Sequence, residues 1–320
     1  MLDLELVSHT VHLDDVEKVS DQLVESIRET ARRFRRGKAV VALSGGIDSS
    51  VCLGLASRAL GPHRVVGISL PDQESDQETL GLAREVADAF GARFEHRDIT
   101  GALDALGCYQ DRLAVVQRID PAFDPAVDAF SVEFDAATGE GDRLQSFTLN
   151  IVRDGQSTHH RLGGRDFLTI MAATNQKQRV RMMVTYRLAD EDNMLVVGTS
   201  NRLELDQGFF VKHGDGCGEV FPLQHLLKSQ VYDLAEHLGV PASIRSRPPT
   251  TDTFSAPQSQ EQYFYGTSVE TGDALWLAWH EGRDAAAVAT QLAMTEADVE
   301  KFYETYGRRS KYAEYLTEVL

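Results

Sequence analysis

Ser44-Gly45-Gly46-Ile47-Asp48-Ser49-Ser50 is the segment of this chain whose residue types most clearly serve a chemical task. It follows the apolar run 38–43 (KAVVAL), which reads as a buried strand, and leads into 48–60, which reads as a helix. Two adjacent glycines let the backbone turn sharply and bring several N–H groups towards one point. The helix start adds unpaired N–H donors and partial positive charge. Ser44, Ser49 and Ser50 add hydroxyls. Such a cradle suits an anion. A carboxylate within it, Asp48, is out of place unless a divalent cation lies between the two, so the spacing predicts a Mg²⁺-bound polyphosphate. The GxxxxGK[ST] order of a Walker A loop is absent, which argues against γ-phosphoryl transfer of that type.

Later segments bring residues that a nucleotide site uses. The run 193–198 (NMLVVG) reads as another buried strand, with Thr199 at its end. A threonine there suits a ribose or phosphate, or equally a bond to its own backbone. Glu204 follows, so Asp48 and Glu204 can both lie at the carboxyl edge of one parallel sheet, where open α/β sheets bind ligands. Two carboxylates together with phosphate oxygens make a Mg²⁺ shell. Lys228 opens the helix expected over 228–238, where the dipole disfavours a cation and a bound phosphate would explain one. A lysine snorkelling at the surface is the alternative.

SGGIDSS resembles the pyrophosphate loop of the N-type ATP pyrophosphatases. Other motifs narrow the likeness to the ammonia-dependent NAD synthetase family. Residues 175–182 (NQKQRVRM) are similar to an N-x-K-x-R-x-R-M stretch of that family. Residues 197–204 (VGTSNRLE) with 208–216 (GFFVKHGDG) are similar to its G-T-x-N/H-x-x-E…G-F/Y-F-x-K-x-G-D-G segment. Pro222-Leu223, Lys228 and 249–252 (PTTD) continue in the same order, so the resemblance covers most of 38–253.

The resemblance implies ATP cut between its α- and β-phosphates, adenylation of a carboxylate (deamido-NAD), and displacement of AMP by ammonia. It implies an ATP site of Ser44, Gly45, Gly46, Asp48, Ser49, Ser50, Thr199, Lys228 and Thr250. Asp48, Glu204 and Lys228 are then catalytic, and Asp48 and Glu204 hold Mg²⁺. Lys177, Arg179, Arg181, Lys212, Asp215 and Glu219 are expected at the acid substrate. By residue type alone, 177, 179 and 181 are equally one solvated helix face, and the glycine-rich segment around Asp215 is equally a turn. A homodimer is also implied. In three places the chain departs from the family pattern. Residues 258–266 (QSQEQYFYG) stand where an acidic run is usual, Glu219 stands where Asp is common, and 108–165 is inserted. They leave open the same chemistry on another carboxylate, as in a sugar or secondary-metabolite pathway. A nucleotide-binding regulator that has lost catalysis is the remaining alternative, and the presence of both Asp48 and Glu204 speaks against it.

The elements that must position these residues alternate. Helix 15–36, strand 38–43, helix 48–60, strand 64–70, helix 77–90 and strand 93–99 predict a doubly wound parallel α/β sheet, and the family likeness adds an adenine nucleotide alpha hydrolase-like fold. The segments 130–134, 145–152 and 158–162 alternate polar with apolar residues around GEGD and RDGQ, which predicts an inserted antiparallel meander. Its inward set, Phe130, Val132, Phe134, Phe147, Leu149 and Ile151, needs a partner surface. Helix about 166–189, strand 193–198 and helix 228–238 resume the rhythm, 247–262 reads as a loop, and 269 onwards as helices. The expected division is an N-terminal helical segment 1–37, an ATP pyrophosphatase core 38–266 with its insert at 108–165, and C-terminal helices 267–320 packed on that core.

The 320 residues carry a net charge of −17, which argues against nucleic acid or an anionic membrane as the main partner. Residues 285–306 have a helix-turn-helix rhythm, but Glu296, Asp298 and Glu300 make it a poor phosphate contact. Trp276 and Trp279, three apart on a helix, read as core anchors. Cys52, Cys108 and Cys217 are too scattered for a disulfide framework or a metal site. They also lack the context of a glutaminase nucleophile, so free ammonia or a separate glutaminase subunit is expected as the nitrogen source. With no long apolar run and no signal-peptide layout, a cytoplasmic setting is expected.

Overall fold

The computed structural model describes residues 10–135, 146–248, 250–251, 254–256, 258–259 and 266–317. Among them the strands are β1 (Lys38–Ala42), β2 (Val65–Ser69), β3 (Arg93–His96), β4 (Ala129–Asp135), β5 (Ser146–Arg153), β6 (Gln156–Leu162), β7 (Met194–Val197), β8 (Thr250–Thr251) and β9 (Gln258–Ser259). The helices of the first half are α1 (Val16–Phe34), α2 (Ile47–Leu60), α3 (Gln77–Ala89), α4 (Thr100–Ala105), α5 (Cys108–Ile119) and α6 (Gly164–Asp192). Those of the second half are α7 (Arg202–Gln207), α8 (Lys228–Leu238), α9 (Ala242–Arg245), α10 (Val269–His280), α11 (Ala285–Leu292) and α12 (Glu296–Thr317).

The main sheet is parallel in the order β3-β2-β1-β7. The strands β1, β2 and β7 are short apolar runs because they are buried on both faces. Their side chains alternate: Ala39, Val41 and Leu195 join a core with α1, α2, α3 and α8. Val40, Val66 and Val196 join a second core with α4, α5 and α6. From β1 the chain goes outward to β2 and β3, then returns to place β7 on the other side of β1. The β1/β7 boundary is therefore the point where strand order reverses, and the crevice beyond the carboxyl ends of such strands is where ligands bind. Val220 pairs with Val197 and carries the sheet one bridge further.

The expected meander is present in the order β4-β5-β6. Arg153 pairs with Gln156 across the two-residue turn Asp154-Gly155, both at positive φ, as the DG signal requires. The GEGD turn and the side chain of Phe134 lie outside the described residues. Phe130, Val132, Leu149 and Ile151 are buried, and the surface that covers them belongs to the same chain: Val115 and Val116 of α5, Ile170 of α6, and Phe254. The first residues of the expected insert, Cys108–Ile119, form helix α5. A helix was hard to read there because α5 buries only a narrow stripe, Cys108, Arg112, Val115 and Val116. Within the expected loop 247–262, β8 and β9 pair as a short antiparallel ladder. Trp276 is wholly buried among α7 and the C-terminal helices, with Trp279 packed against the same cluster. Among the described residues no helix is long and apolar enough to cross a membrane.

Candidate active site

β1 ends at Ala42, and Leu43 is still tied to the sheet through its N–H to Ile68 O at 2.8 Å. The chain then turns through Ser44-Gly45-Gly46. Gly45 has φ +72°, and a Cβ there would lie 3.2 Å from Thr79 O and 3.3 Å from the Leu82 Cβ. Both the conformation and the approach of α3 thus call for glycine. Gly46 caps α2, whose first-turn N–H groups have no carbonyl one turn earlier to bond. The serines brace the turn: Ser44 Oγ accepts from Gly46 N at 3.3 Å, and Ser50 Oγ donates to Gly46 O at 2.8 Å. Cys52, one turn into α2, donates its thiol to Gly198 O at 3.7 Å and so ties this helix to the end of β7.

Three charged side chains meet at this boundary. Asp48 accepts from Asn201 Nδ2 at 3.1 Å and is ion-paired with the ammonium of Lys228. Lys228 is 1% exposed. Burial works against its charge, but Asp48 and Glu204 outweigh that and hold its pKa above the usual value. Glu204 enters through a capping box at the start of α7: Glu204 N donates to Asn201 Oδ1 at 3.1 Å, and Asn201 N donates to Glu204 Oε2 at 3.2 Å. Burial, and then the charge of Asp48, push the Glu204 carboxyl up to about 8 although Lys228 opposes them. The ammonium of Lys228 thus pairs with Asp48, and Glu204, half-buried beside them, has no ion-pair partner among the described residues. Thr199 is half-buried, two residues beyond β7.

A second charged cluster lies behind the loop that follows β2. Lys177, on α6 and 2% exposed, donates to Asp72 Oδ1 at 3.2 Å and to Glu74 Oε2 at 2.6 Å. Arg181, one turn on, donates to Asp72 Oδ2 at 3.0 Å and to Leu70 O at 3.0 Å. Arg112 of α5 donates to Glu74 at 2.7 Å, with its guanidinium 5.0 Å from the Phe130 ring. Burial raises the Asp72 carboxyl, but Lys177 and Arg181 together bring it below its ordinary range.

Of the remaining expected residues, Lys212, Asp215 and Glu219 lie between α7 and α8, Arg179 on α6 and Thr250 in β8. Lys212 donates to Tyr315 O at 3.1 Å, and its own carbonyl accepts from Arg179 Nε at 3.2 Å. Asp215 accepts from Val211 N at 2.6 Å, and burial pushes its carboxyl up to about 6 against that bond and the charge of Arg181. Glu219 is fastened to β7: Val196 N donates to its Oε2 at 2.9 Å. Thr250 pairs through its backbone in β8, and its side chain lies outside the described residues.

The structure therefore brings Ser44–Ser50, Asp48, Glu204 and Lys228 to one point. It draws Lys177 and Arg181 away into ion pairs with Asp72 and Glu74. Sequence reasoning missed Asp72, Glu74 and Arg112, whose roles exist only across elements. It gave no role to Asn201, although N-x-x-E at 201–204 is a visible capping signal.

A parallel sheet with a glycine–serine anion loop and paired carboxylates at its reversal point is the architecture of an ATP-handling α/β enzyme. The comparisons agree with that class. The NAD synthase family model matches residues 19–116 and 145–314, and the chain belongs to that family. The unmatched stretch 117–144 contains β4, whereas β5, β6 and most of α5 lie within the match. The chain is 42% identical over 299 residues to an NH(3)-dependent NAD(+) synthetase of Rhizobium rhizogenes, covering 93% of this chain and 90% of that protein. It is 40% identical over 309 residues to the protein of that name from Rhizobium meliloti, covering 96% and 91%. Its fold is similar to that of the NH3-dependent NAD synthetase of Campylobacter jejuni in complex with nitrate, with TM-score 0.63, 19% identity, and 96% and 98% of the two chains covered.

Proposed function

We propose that this chain is an ATP-dependent amide ligase that converts the carboxylate of deamido-NAD into the amide of NAD with ammonia. The observation that carries the reading is the Asp48–Glu204–Lys228 cluster beneath the loop 44–50, in a chain 42% identical to an NH(3)-dependent NAD(+) synthetase over nearly its whole length. The loop N–H groups and serine hydroxyls receive the β- and γ-phosphates of ATP. Lys228 exchanges its bond to Asp48 for a phosphate oxygen, so its charge is present without desolvating a new cation. The substrate carboxylate attacks the α-phosphorus, pyrophosphate leaves, and the carboxyl carbon is activated as an acyl-adenylate. Ammonia adds to that carbon, AMP departs, and one proton is released. The contribution of the chain is positioning and charge placement.

The donor set fits Mg²⁺. A Glu204 driven towards its neutral form by desolvation and then by the charge of Asp48 is the environment that a divalent cation reverses. Asp48 and Glu204 would hold the ion, with phosphate and water completing the shell. When bound, it neutralises charge on the phosphates and the departing pyrophosphate.

Among the residues expected at the acid, we assign Lys177 and Arg181 to fixing the loop 70–76 as a wall of the site, and Arg179, Lys212, Asp215 and Glu219 to shaping the acid side. Leu168 and Met183, exposed at 66% and 62% on the long helix α6, support a homodimer through that helix. We further propose a cytoplasmic enzyme drawing on free ammonia or on a separate glutaminase, with the division 1–37, 38–266 and 267–320.

Pyrophosphate release, measured with Mg-ATP and ammonium against a panel of carboxylates, tests the reading. AMP and pyrophosphate are expected in equal amounts, with deamido-NAD the best acid. Substrate-dependent ADP and orthophosphate would overturn it. Turnover with another acid and none with deamido-NAD would keep the chemistry and change the substrate.

A further inference from the structure

The first turn of α8, which presents Lys228, caps only the Leu227 N–H from within, through Gln230 Oε1 at 3.0 Å. Leu227 stands at the N-cap position and makes no side-chain cap bond, as an apolar residue must. Water cannot substitute, because Leu227, Lys228, Ser229 and Gln230 are all 4% exposed or less. Buried N–H groups need acceptors. The acceptor comes from another part of the chain: Asp273 of α10, itself wholly buried, accepts from Ser229 N at 2.6 Å and from Lys228 N at 3.4 Å. The position of Asp273 is fixed in turn. Tyr306 Oη donates to the adjacent Gly272 O at 3.2 Å, and Leu275 and Trp276 are fully buried beside it. Burial pushes the Asp273 carboxyl up to about 6, against the N–H and hydroxyl of Ser229 and the N–H of Lys228. A carboxylate kept where burial opposes it, and spent on the two residues that open α8, has a purpose at Lys228.

We propose that Asp273 is a positioning residue for Lys228: by binding the first N–H groups of α8 it sets the depth and direction from which the ammonium reaches the Asp48 loop, and so governs the hold on ATP. This rests on the reading that Lys228 meets a phosphate of ATP. Asp273 touches no reacting atom; it acts through the helix.

A double-mutant cycle on the full chain tests it. Asp273→Asn keeps the shape of the side chain but turns one acceptor into a donor. It should raise KM for ATP about tenfold and move KM for the acid far less. In a Lys228→Met background the same change should alter kcat/KM less than about twofold, because the residue it acts through is gone. A folded Asp273→Asn with the parental KM for ATP overturns the proposal, as does an equal loss in both backgrounds, which is what a purely structural role gives. If Lys228→Met alone leaves ATP use unchanged, the phosphate reading fails and the proposal with it. A crippled Lys228→Met beside an unaffected Asp273→Asn defeats the proposal alone. Should Asp273→Asn not fold, Asp273→Ser, which retains one small acceptor, carries the same cycle. In the unaltered protein the Ser229 amide proton should resonate far downfield, as a short bond to a carboxylate requires. An ordinary shift there overturns the capping on which everything else depends.

Discussion

Two buried charge clusters sit at the carboxyl edge of the same sheet, and they differ in balance. Around Asp72 and Glu74, three cations from two helices face two carboxylates, and Asp72 is held ionised in spite of burial. Around Asp48 and Glu204, two carboxylates have one nearby cation, Lys228, which pairs with Asp48, and Glu204 is driven towards protonation. With one cation in excess, neither Asp72 nor Glu74 lacks a partner, and their network holds the loop after β2 against α5 and α6. A cluster left short of positive charge is one that the proposed divalent cation would complete. The deficit of countercharge, more than burial or residue type, separates the cluster proposed to react from the one proposed to hold a loop.

The largest effect that would break this comparison is on rate. Asp48→Asn should lower turnover on the order of 10³-fold, because a metal carboxylate is lost where charge develops. It also takes the ion-pair partner from buried Lys228, so Tm should fall by a few degrees even though Glu204 is relieved of a like charge. Near-parental turnover measured by pyrophosphate release would remove Asp48 from the metal. The second effect is on stability. Lys177→Met removes two buried ionic hydrogen bonds and leaves Asp72 to Arg181 and Glu74 to Arg112, and should cost about 2–4 kcal/mol, a drop in Tm of roughly 5–10 °C. Its turnover per folded molecule should stay within about threefold of the parent. A fully stable Lys177→Met with a raised KM for the acid would turn the second cluster back into a substrate site.

The smallest effect concerns pH. Glu204 at about 8, with Asp215 and Asp273 at about 6, lie above the unfolded carboxylate range in the folded chain. The native state therefore holds protons that the unfolded chain releases. The stability these groups contribute is complete below about pH 4 and is lost as pH rises through 6 and 8. Asp72 has the opposite sense, its contribution being present above that range and lost only in stronger acid. Scanned without nucleotide, Tm should fall by several degrees between about pH 5 and pH 8. Mg-ATP should flatten the upper part of that fall, where Glu204 titrates. A Tm that rises over this interval would show that the carboxylates of the first cluster are already compensated.

What the sequence by itself determined was local. The loop 44–50 was legible because its chemistry is written in consecutive residues at a strand-to-helix junction. The strands β1, β2 and β7 were legible because burial on both faces leaves continuous apolar runs, and the Asp154-Gly155 hairpin because a two-residue turn constrains its own residue types. The tertiary structure alone decided what each charge does. Lys177 and Lys228 are both helical lysines, and along the chain only the place of Lys228 at a helix start sets them apart. One meets Asp72 and Glu74 because α6 packs on β1 and β7 and reaches Leu70 just after β2, and the other meets Asp48 because α8 packs against α2. The acceptors for the start of α8 come from α10, 45 residues beyond Lys228. Such partnerships follow from strand order and helix packing, which place distant residues within a few ångströms of each other, and no spacing along the chain encodes them.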